Sequence, residues 1–358
     1  MSATWFQRLS DRRLLQSSKH LVSTSSKPLY FKELQKRSCY PYFFLVVSSR
    51  FFGYTETDGP HTWNGSCRVG KRQSPVDIKS SEVVYDETIP RLQFVNYDQS
   101  SGSFFVENNG ITCKIFLGFW LRKKSWKIKM ACFPVVFHGF ANWGANQPYI
   151  RGGTLQGEYA LETMHIHWGI KNETGSEHTL GGLHYPAELH FVHKKRGHTD
   201  GVPLKGDSLA VVAAFMLIDS EGKSFAPFEA AIKDVLHNPG RSSKQKQAYS
   251  LTDLLPGSVE TFYTYEGSLT TPNCEEVVIW IVLGDPITVT AEQMDLIRET
   301  KMSGDLSTGS NSRPTQPLLG RKVRFRPTAR LSNMGLSPRN SINLITVLLF
   351  YNIALILH

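Results

Sequence analysis

The sequence predicts a mainly β fold of α+β type, gathered into one large domain from about Phe51 to residue 328. Three observations carry that prediction. Short runs alternate apolar and polar residues, which is the two-residue period of a strand with one buried face. Only two segments have a helical pattern. No internal repeat and no Pro- or Ser-rich linker interrupts the 358-residue chain between about 51 and 328, and such a length fits one large domain or two small ones.

Taken in order, residues 1–50 read as a leader rich in Ser, Lys and Arg, with one apolar run, "YPYFFLVVSS", at 40–49. That length fits the core of a secretory signal, roughly 7–15 residues, but it lies far from Met1. Two readings stand: a signal-type leader whose true start is further downstream, or a transit-like or misassigned leader. From Phe51 the strand-like runs begin: "RLQFVNYD", "SGSFFVENNG", "AELHFVHKK", "LAVVAAFMLID" and "EVVIWIVLG". The helical segments are "APFEAAIKDVLHN" (226–238) and "TAEQMDLIRET" (290–300), the second opening on Thr290 as an N-cap with acids just after it.

The chain closes on "INLITVLLFYNIALILH" (342–358), 17 residues with no Asp, Glu, Lys or Arg, after a spacer of small and polar residues. A transmembrane helix usually needs about 20 apolar residues, and a buried strand would be unusually long. A terminal apolar tail after such a spacer matches a GPI-attachment signal, with cleavage expected between Ser332 and Gly335. The three readings are a GPI signal, a membrane span and a buried element, in that order of preference.

Charge argues against a nucleic-acid surface. The net +9 contains +7 from residues 1–50 and +6 from residues 111–134, leaving −4 for the rest. The five cysteines, Cys39, Cys67, Cys113, Cys132 and Cys274, include no CxxC. That argues against cysteine zinc sites and thioredoxin-like redox chemistry.

The chemistry lies in "TMHIHWG". On a strand, residues i and i+2 face one side, so His165 and His167 project together. In "AELHFVH", Glu188, His190 and Val192 also share a face. If the two strands pair, His190 completes a three-histidine cluster. Three neutral imidazoles leave a fourth tetrahedral position open on Zn²⁺, which is the catalytic pattern. Imidazole suits zinc, whereas calcium and magnesium prefer oxygen. Glu188 can accept the second ring N–H of His190 and so orient it. The loop "GSLTTP" offers Thr270 and Thr271. A threonine there can aim a nucleophilic oxygen if it passes its own proton to a carboxylate such as Glu177.

Together "RQSPVDI", "MHIHWG", "GSEHT", "AELHFVH" and "GSLTTP" resemble, in order and spacing, the α-class carbonic anhydrases, from about Phe51 to Pro327. The tail makes the extracellular, GPI-anchored members the nearest likeness. The resemblance implies a central twisted, mostly antiparallel sheet with few peripheral helices and a zinc ion at the bottom of a conical cleft. It implies that His165, His167 and His190 ligate Zn²⁺ and that Thr270 and Glu177 orient a zinc-bound hydroxide that attacks CO₂ to give bicarbonate. Val192, Val211, Leu269 and Trp280 then line the CO₂ pocket, with Thr271 beside them. Tyr54, Asn108 and Asn109 order cleft water, and Tyr265 with Ser74 forms a hydrogen-bonded support.

The resemblance also implies a Cys67–Cys274 disulfide, as in secreted and membrane-anchored members, and hence an oxidising compartment. The sequons at Asn64 and Asn172 fit that compartment. The expected location is the extracellular face of the plasma membrane through a GPI anchor, or else secretion, as a monomer.

Two departures stand out. The family's "NNGH" reads "NNGI" here, so Ile111 replaces the proton-shuttle histidine. Residues 111–134, "ITCKIFLGFWLRKKSWKIKMACFP", have no family counterpart. Their readings are translated intron, a surface loop closed by Cys113–Cys132, or a membrane-contacting element. Under the last two, the shuttle is lost unless a group such as His138 replaces it, and turnover becomes slow and buffer-dependent. Thr163 stands where the family often has Gln beside the first ligand, which predicts a weaker hold on His165. The rival functions are a non-catalytic anhydrase-like binding module and a zinc esterase using the same site.

Overall fold

The computed structural model describes residues 52–99, 104–108, 113–117, 146–199, 201–222, 224–238, 241–245, 249–300 and 309–328. The expectations for the leader, the tail, Asn109, Ile111, Cys132 and His138 lie outside these residues. All the described residues fall within one compact unit, 50–358.

Fifteen strands are described. They are β1 (Asp77–Ile78), β2 (Val84–Tyr85), β3 (Leu92–Val95), β4 (Phe104–Asn108), β5 (Cys113–Leu117), β6 (Tyr149–Gly152), β7 (Tyr159–Trp168), β8 (Thr179–Leu180), β9 (Ala187–Lys195), β10 (Leu209–Ile218), β11 (Ser242–Gln245), β12 (Phe262–Gly267), β13 (Val278–Leu283), β14 (Ile287–Val289) and β15 (Arg324–Arg326). One large sheet runs β11-β4-β5-β7-β9-β10-β13-β12-β15-β2, with β3, β6 and β14 off that path. Along the path, neighbours are antiparallel except at β10–β13 and β15–β2. The mainly β expectation holds, and the sheet is mixed.

The centre of the sheet is buried on both faces. One face packs Met164, Ile166, Leu189, Phe191, Val212 and Ile281 into the main core. The other packs Val192, Val211, Phe215, Trp280 and Val282 into a second cluster. This explains why "LAVVAAFMLI" and "VIWIVL" read as continuous apolar runs. Strands β10 and β13 are parallel partners covered on both sides, so neither side is left polar.

The helices are short and peripheral. The segment expected at 226–238 splits into a 3₁₀ turn, Ala226–Phe228, and a helix, Glu229–Val235, that buries Ala231, Ile232 and Val235. The second segment forms the helix Ala291–Arg298 with a full capping box: Thr290 accepts from the Gln293 backbone, and the Gln293 side chain accepts from the Thr290 backbone.

The segment set apart at 111–134 begins differently from a surface loop. Cys113–Leu117 is strand β5, paired antiparallel with β4 on one side and β7 on the other.

Candidate metal centre and active site

Strands β7 and β9 build the site. They are antiparallel, with His165 directly opposite His190 and His167 directly opposite Glu188. The register contains one irregularity: Leu161 faces His193 and Thr163 faces Val192, so Glu162 is an extra residue. The bulge switches the side-chain parity of the strand. Before it, the odd residues Tyr159 and Leu161 enter the main core; after it, the even residues Met164, Ile166 and Trp168 do so. The odd residues Thr163, His165 and His167 are thereby turned to the opposite face, where His190 lies.

The three imidazoles converge. Ring centroids are 5.0 Å apart for His165–His167, 5.1 Å for His165–His190 and 4.7 Å for His167–His190. One ligand-capable atom from each lies within 4.8 Å of the others. His167 and His190 are buried, and His165 is half-buried.

Their partners fix which nitrogen faces inward. His190 Nε2 is 2.7 Å from Glu188 Oε1, so its Nδ1 is left for the cluster. His167 Nδ1 is 2.7 Å from the Asn311 carbonyl. Its Nε2 is buried with no hydrogen-bond partner among the described residues. Burial, with His190 adding to it, lowers the His167 pKa to about 3, and burial also lowers that of His190. Both rings are therefore neutral, as metal ligands must be. An inward, orphaned imidazole nitrogen in an all-imidazole set fits a zinc ion.

Glu188 joins two histidines. Its Oε2 accepts from the His178 backbone N–H at 2.8 Å, and its Oε1 is 2.7 Å from His178 Nδ1. His178 Nε2 continues to the Tyr265 hydroxyl at 2.7 Å, which donates to Ser74 Oγ at 3.0 Å. Burial works to raise the Glu188 pKa, but His178 and His190 overcome it and hold the carboxyl well below its usual range. His178, Glu188 and His190 also cluster as metal-capable groups. Their contacts are a hydrogen-bonded chain that consumes the lone pairs, so the three-histidine group is the better metal site. Gly267 lets this support close, because a Cβ there would collide with Ser74 Oγ.

Glu177 lies beside His167, with Oε1 3.3 Å from Nδ1. It accepts from the Arg313 backbone N–H at 2.9 Å. Burial and then the charge of Glu188 raise its pKa, opposed by the Arg313 N–H and by the nearby buried Thr270. Gly175 brings this segment against β9: a Cβ there would strike the Pro186 carbonyl.

The apolar wall lies one row along the sheet. Thr163, Val192, Val211, Trp280 and Tyr265 are successive cross-strand partners on β7, β9, β10, β13 and β12. Leu269 packs against the same cluster. The Trp280 ring also backs the site, with centroids 4.9 Å from His190 and 4.8 Å from His178. Thr271 is half-buried, and its carbonyl accepts from the Cys274 N–H at 2.8 Å. The Thr163 hydroxyl makes a long 3.4 Å contact to the Met164 carbonyl. Tyr54 has a buried hydroxyl with no hydrogen-bond partner among the described residues. Its pKa is raised by burial and by Glu177, so it lies within the field of the site.

Cys67 and Cys274 are bridged. Asn108 differs from its expected place in a cleft water network. It is fully buried, and its amide donates to the carbonyls of Val235 and Leu236 at 3.3 and 3.4 Å. Those carbonyls close the helix Glu229–Val235, where the last turn leaves acceptors unpaired. Asn108 is thus a structural anchor.

Sequence reasoning missed Asn311 and Arg313. Asn311 holds His167 and also accepts from the Trp168 backbone N–H at 2.7 Å. Arg313 donates to Gln73 Oε1, the Ser74 carbonyl and the Cys67 carbonyl. Both lie in "GSNSRP" (309–314), which has neither strand nor helix periodicity to mark it.

The family model for eukaryotic-type carbonic anhydrases matches residues 58–327. A putative carbonic anhydrase 5 of Caenorhabditis elegans is 38% identical over 284 residues, covering 78% of this chain and 83% of that protein. A putative carbonic anhydrase 3 of the same organism is 35% identical over 274 residues, covering 76% and 96%. Carbonic anhydrase 3 of Homo sapiens is 33% identical over 283 residues, covering 76% and 97%.

Proposed function

This chain belongs to the eukaryotic-type carbonic anhydrase family, and on that premise we propose that it hydrates CO₂ reversibly to bicarbonate and a proton at a zinc ion held by His165, His167 and His190. One observation carries the reading: three imidazoles converge, with Glu188 and Asn311 fixing the tautomers of two of them. When bound, zinc supplies a Lewis acid that lowers the pKa of a water molecule to about 7.

The remaining work falls to the chain. Thr270 donates a hydrogen bond to Glu177, which leaves a hydroxyl lone pair turned toward the reacting centre. That lone pair accepts a hydrogen bond from the attacking oxygen and orients it. Val192, Val211, Leu269 and Trp280 give CO₂ an apolar surface beside the metal row, and a nonpolar substrate needs no polar group to hold it. Tyr54 and Thr271 order water in the cleft. Ile111 cannot carry a proton, so proton export depends on external buffer.

The chain acts as a monomer at the extracellular face of the plasma membrane, anchored by a GPI group added near Ser332–Gly335. Support comes from the Cys67–Cys274 bridge, which suits an oxidising compartment, and from the charge-free run at 342–358.

The test is stopped-flow CO₂ hydration at low and high buffer, with zinc content measured on the same sample. Activity that rises steeply with buffer and is blocked by an arylsulfonamide is expected. A folded, zinc-loaded protein with no hydration at any buffer concentration would refute the reading.

A further inference from the structure

We propose that Asn172 is an N-glycosylation site, carrying an oligosaccharide through N-acetylglucosamine. The inference rests on the extracellular reading above, and its test separates the two.

The sequon is Asn172-Glu173-Thr174, with no proline in the middle position. It occupies the loop that leaves β7, where residues 170–174 are all exposed. The loop is nevertheless ordered by contacts at its base. Arg298 Nε donates to the Gly169 carbonyl at 3.0 Å, and its Nη2 donates to Asn172 Oδ1 at 2.6 Å. The Thr174 hydroxyl donates to the Lys171 carbonyl at 3.3 Å, closing the turn.

These contacts engage the amide oxygen of Asn172, and the sugar would attach to the amide nitrogen. The transfer is balanced without any redox partner. Nδ2 attacks the anomeric carbon of a polyprenyl-diphosphate-linked oligosaccharide, the C1–O bond breaks, the diphosphate leaves, and Nδ2 gives up one proton. The product keeps a carbonyl oxygen and one N–H. The Arg298 contact therefore survives modification, and the loop need not rearrange to carry the glycan.

A second observation points to the same place. Ile170, two residues before the acceptor, is 57% exposed. A large apolar side chain at that spacing offers the apolar face of the first sugar a surface to cover.

Asn64 lacks this combination. It is exposed, but its sequon ends in Ser66, which opens the helix Ser66–Val69, and the following residue is the bridged Cys67. Closure of that bridge competes with modification three residues away.

The experiment expresses the full chain in animal cells and measures its mass before and after peptide-N-glycosidase, with thiol alkylation on the same sample. Expected is a closed Cys67–Cys274 bridge and one glycan, lost in Asn172→Gln and Thr174→Ala but kept in Thr174→Ser and Asn64→Gln. Peptide mapping after the glycosidase should find aspartate at position 172. A closed bridge with no glycan, or a glycan unaffected by Asn172→Gln, overturns the proposal and leaves the compartment reading standing. Free thiols at both Cys67 and Cys274, with no glycan, overturn both.

Discussion

His165 faces His190 directly across β7 and β9, and a one-residue bulge at Glu162 puts them on the same side of the sheet. If all ten residues of β7 alternated strictly, with no bulge to absorb Glu162, His165 and His167 would share the face of Tyr159 and Leu161, which is the main core. Deleting Glu162 should therefore leave zinc binding near the parent's, because Leu161 and Thr163 then become neighbours on opposite faces and His165 stays opposite His190. Zinc stoichiometry by atomic absorption, with a urea melt alongside, checks this. A folded deletion variant that loses zinc would show that Glu162 does more than set the face.

Glu188 is the common acceptor for His178 and His190. Glu188→Gln keeps the size but removes the charge and places an NH₂ where one histidine needs an acceptor. Removing such a partner typically costs about 10–100-fold in metal affinity. Chelator competition should find a loss in that range, with faster zinc release. An unchanged affinity would mean that packing by Trp280 alone holds His190.

The local parts of the site are legible in the sequence, and the distant parts are not. His165 with His167, and Glu188 with His190, can be read because i and i+2 share a face on any strand. Their pairing follows once two such strands exist. The bulge at Glu162 is not legible, since "YALETMHIHW" is apolar on both sides of it and either register buries something suitable. Asn311 and Arg313 reach the site from more than 130 residues away through backbone groups, which side-chain identity does not encode. Asn108 shows the limit of a motif: "NNG" gives the position, but only the structure shows that the amide faces the carbonyls of Val235 and Leu236.

A buried histidine outside the metal cluster ties stability to pH. His193 is fully buried on the core side of β9, with Nε2 2.5 Å from the Tyr97 hydroxyl and Nδ1 3.2 Å from the Ala210 carbonyl. Burial lowers its pKa to about 3. Its folded value lies below the unfolded one of about 6.5. The unfolded chain therefore takes up a proton first, and stability is lost as pH falls from about 6.5 toward 3. At pH 4.5 the loss from this group is on the order of 3 kcal/mol. Urea unfolding at pH 7 and pH 4.5 should find a smaller pH effect in His193→Gln than in the parent. Equal pH effects would show that His193 titrates normally or that other groups dominate.

The Cys67–Cys274 bridge joins chain segments 207 residues apart and ends in the loop that carries Thr270. Cys274 has a positive φ of 55°, a region that costs a residue with a side chain about 1 kcal/mol or more. Neighbouring contacts hold it there. Its N–H donates to the Thr271 carbonyl at 2.8 Å, and its carbonyl accepts from Gln73 Nε2 at 3.2 Å. On the other side, the Cys67 carbonyl accepts from Arg313, the residue whose backbone N–H holds Glu177. The bridge thus ties together the segments that position Thr270 and Glu177. Closing a loop of this length removes unfolded-state entropy worth up to about 5 kcal/mol. The double variant Cys67→Ser, Cys274→Ser should lose several kcal/mol in urea unfolding, and its midpoint should no longer respond to a reducing agent. CO₂ hydration should fall at temperatures where the variant is still folded, because the Thr270 loop has lost one anchor. A variant with the parent's midpoint would mean that the hydrogen bonds from Gln73 and Arg313 already fix the loop without the bridge.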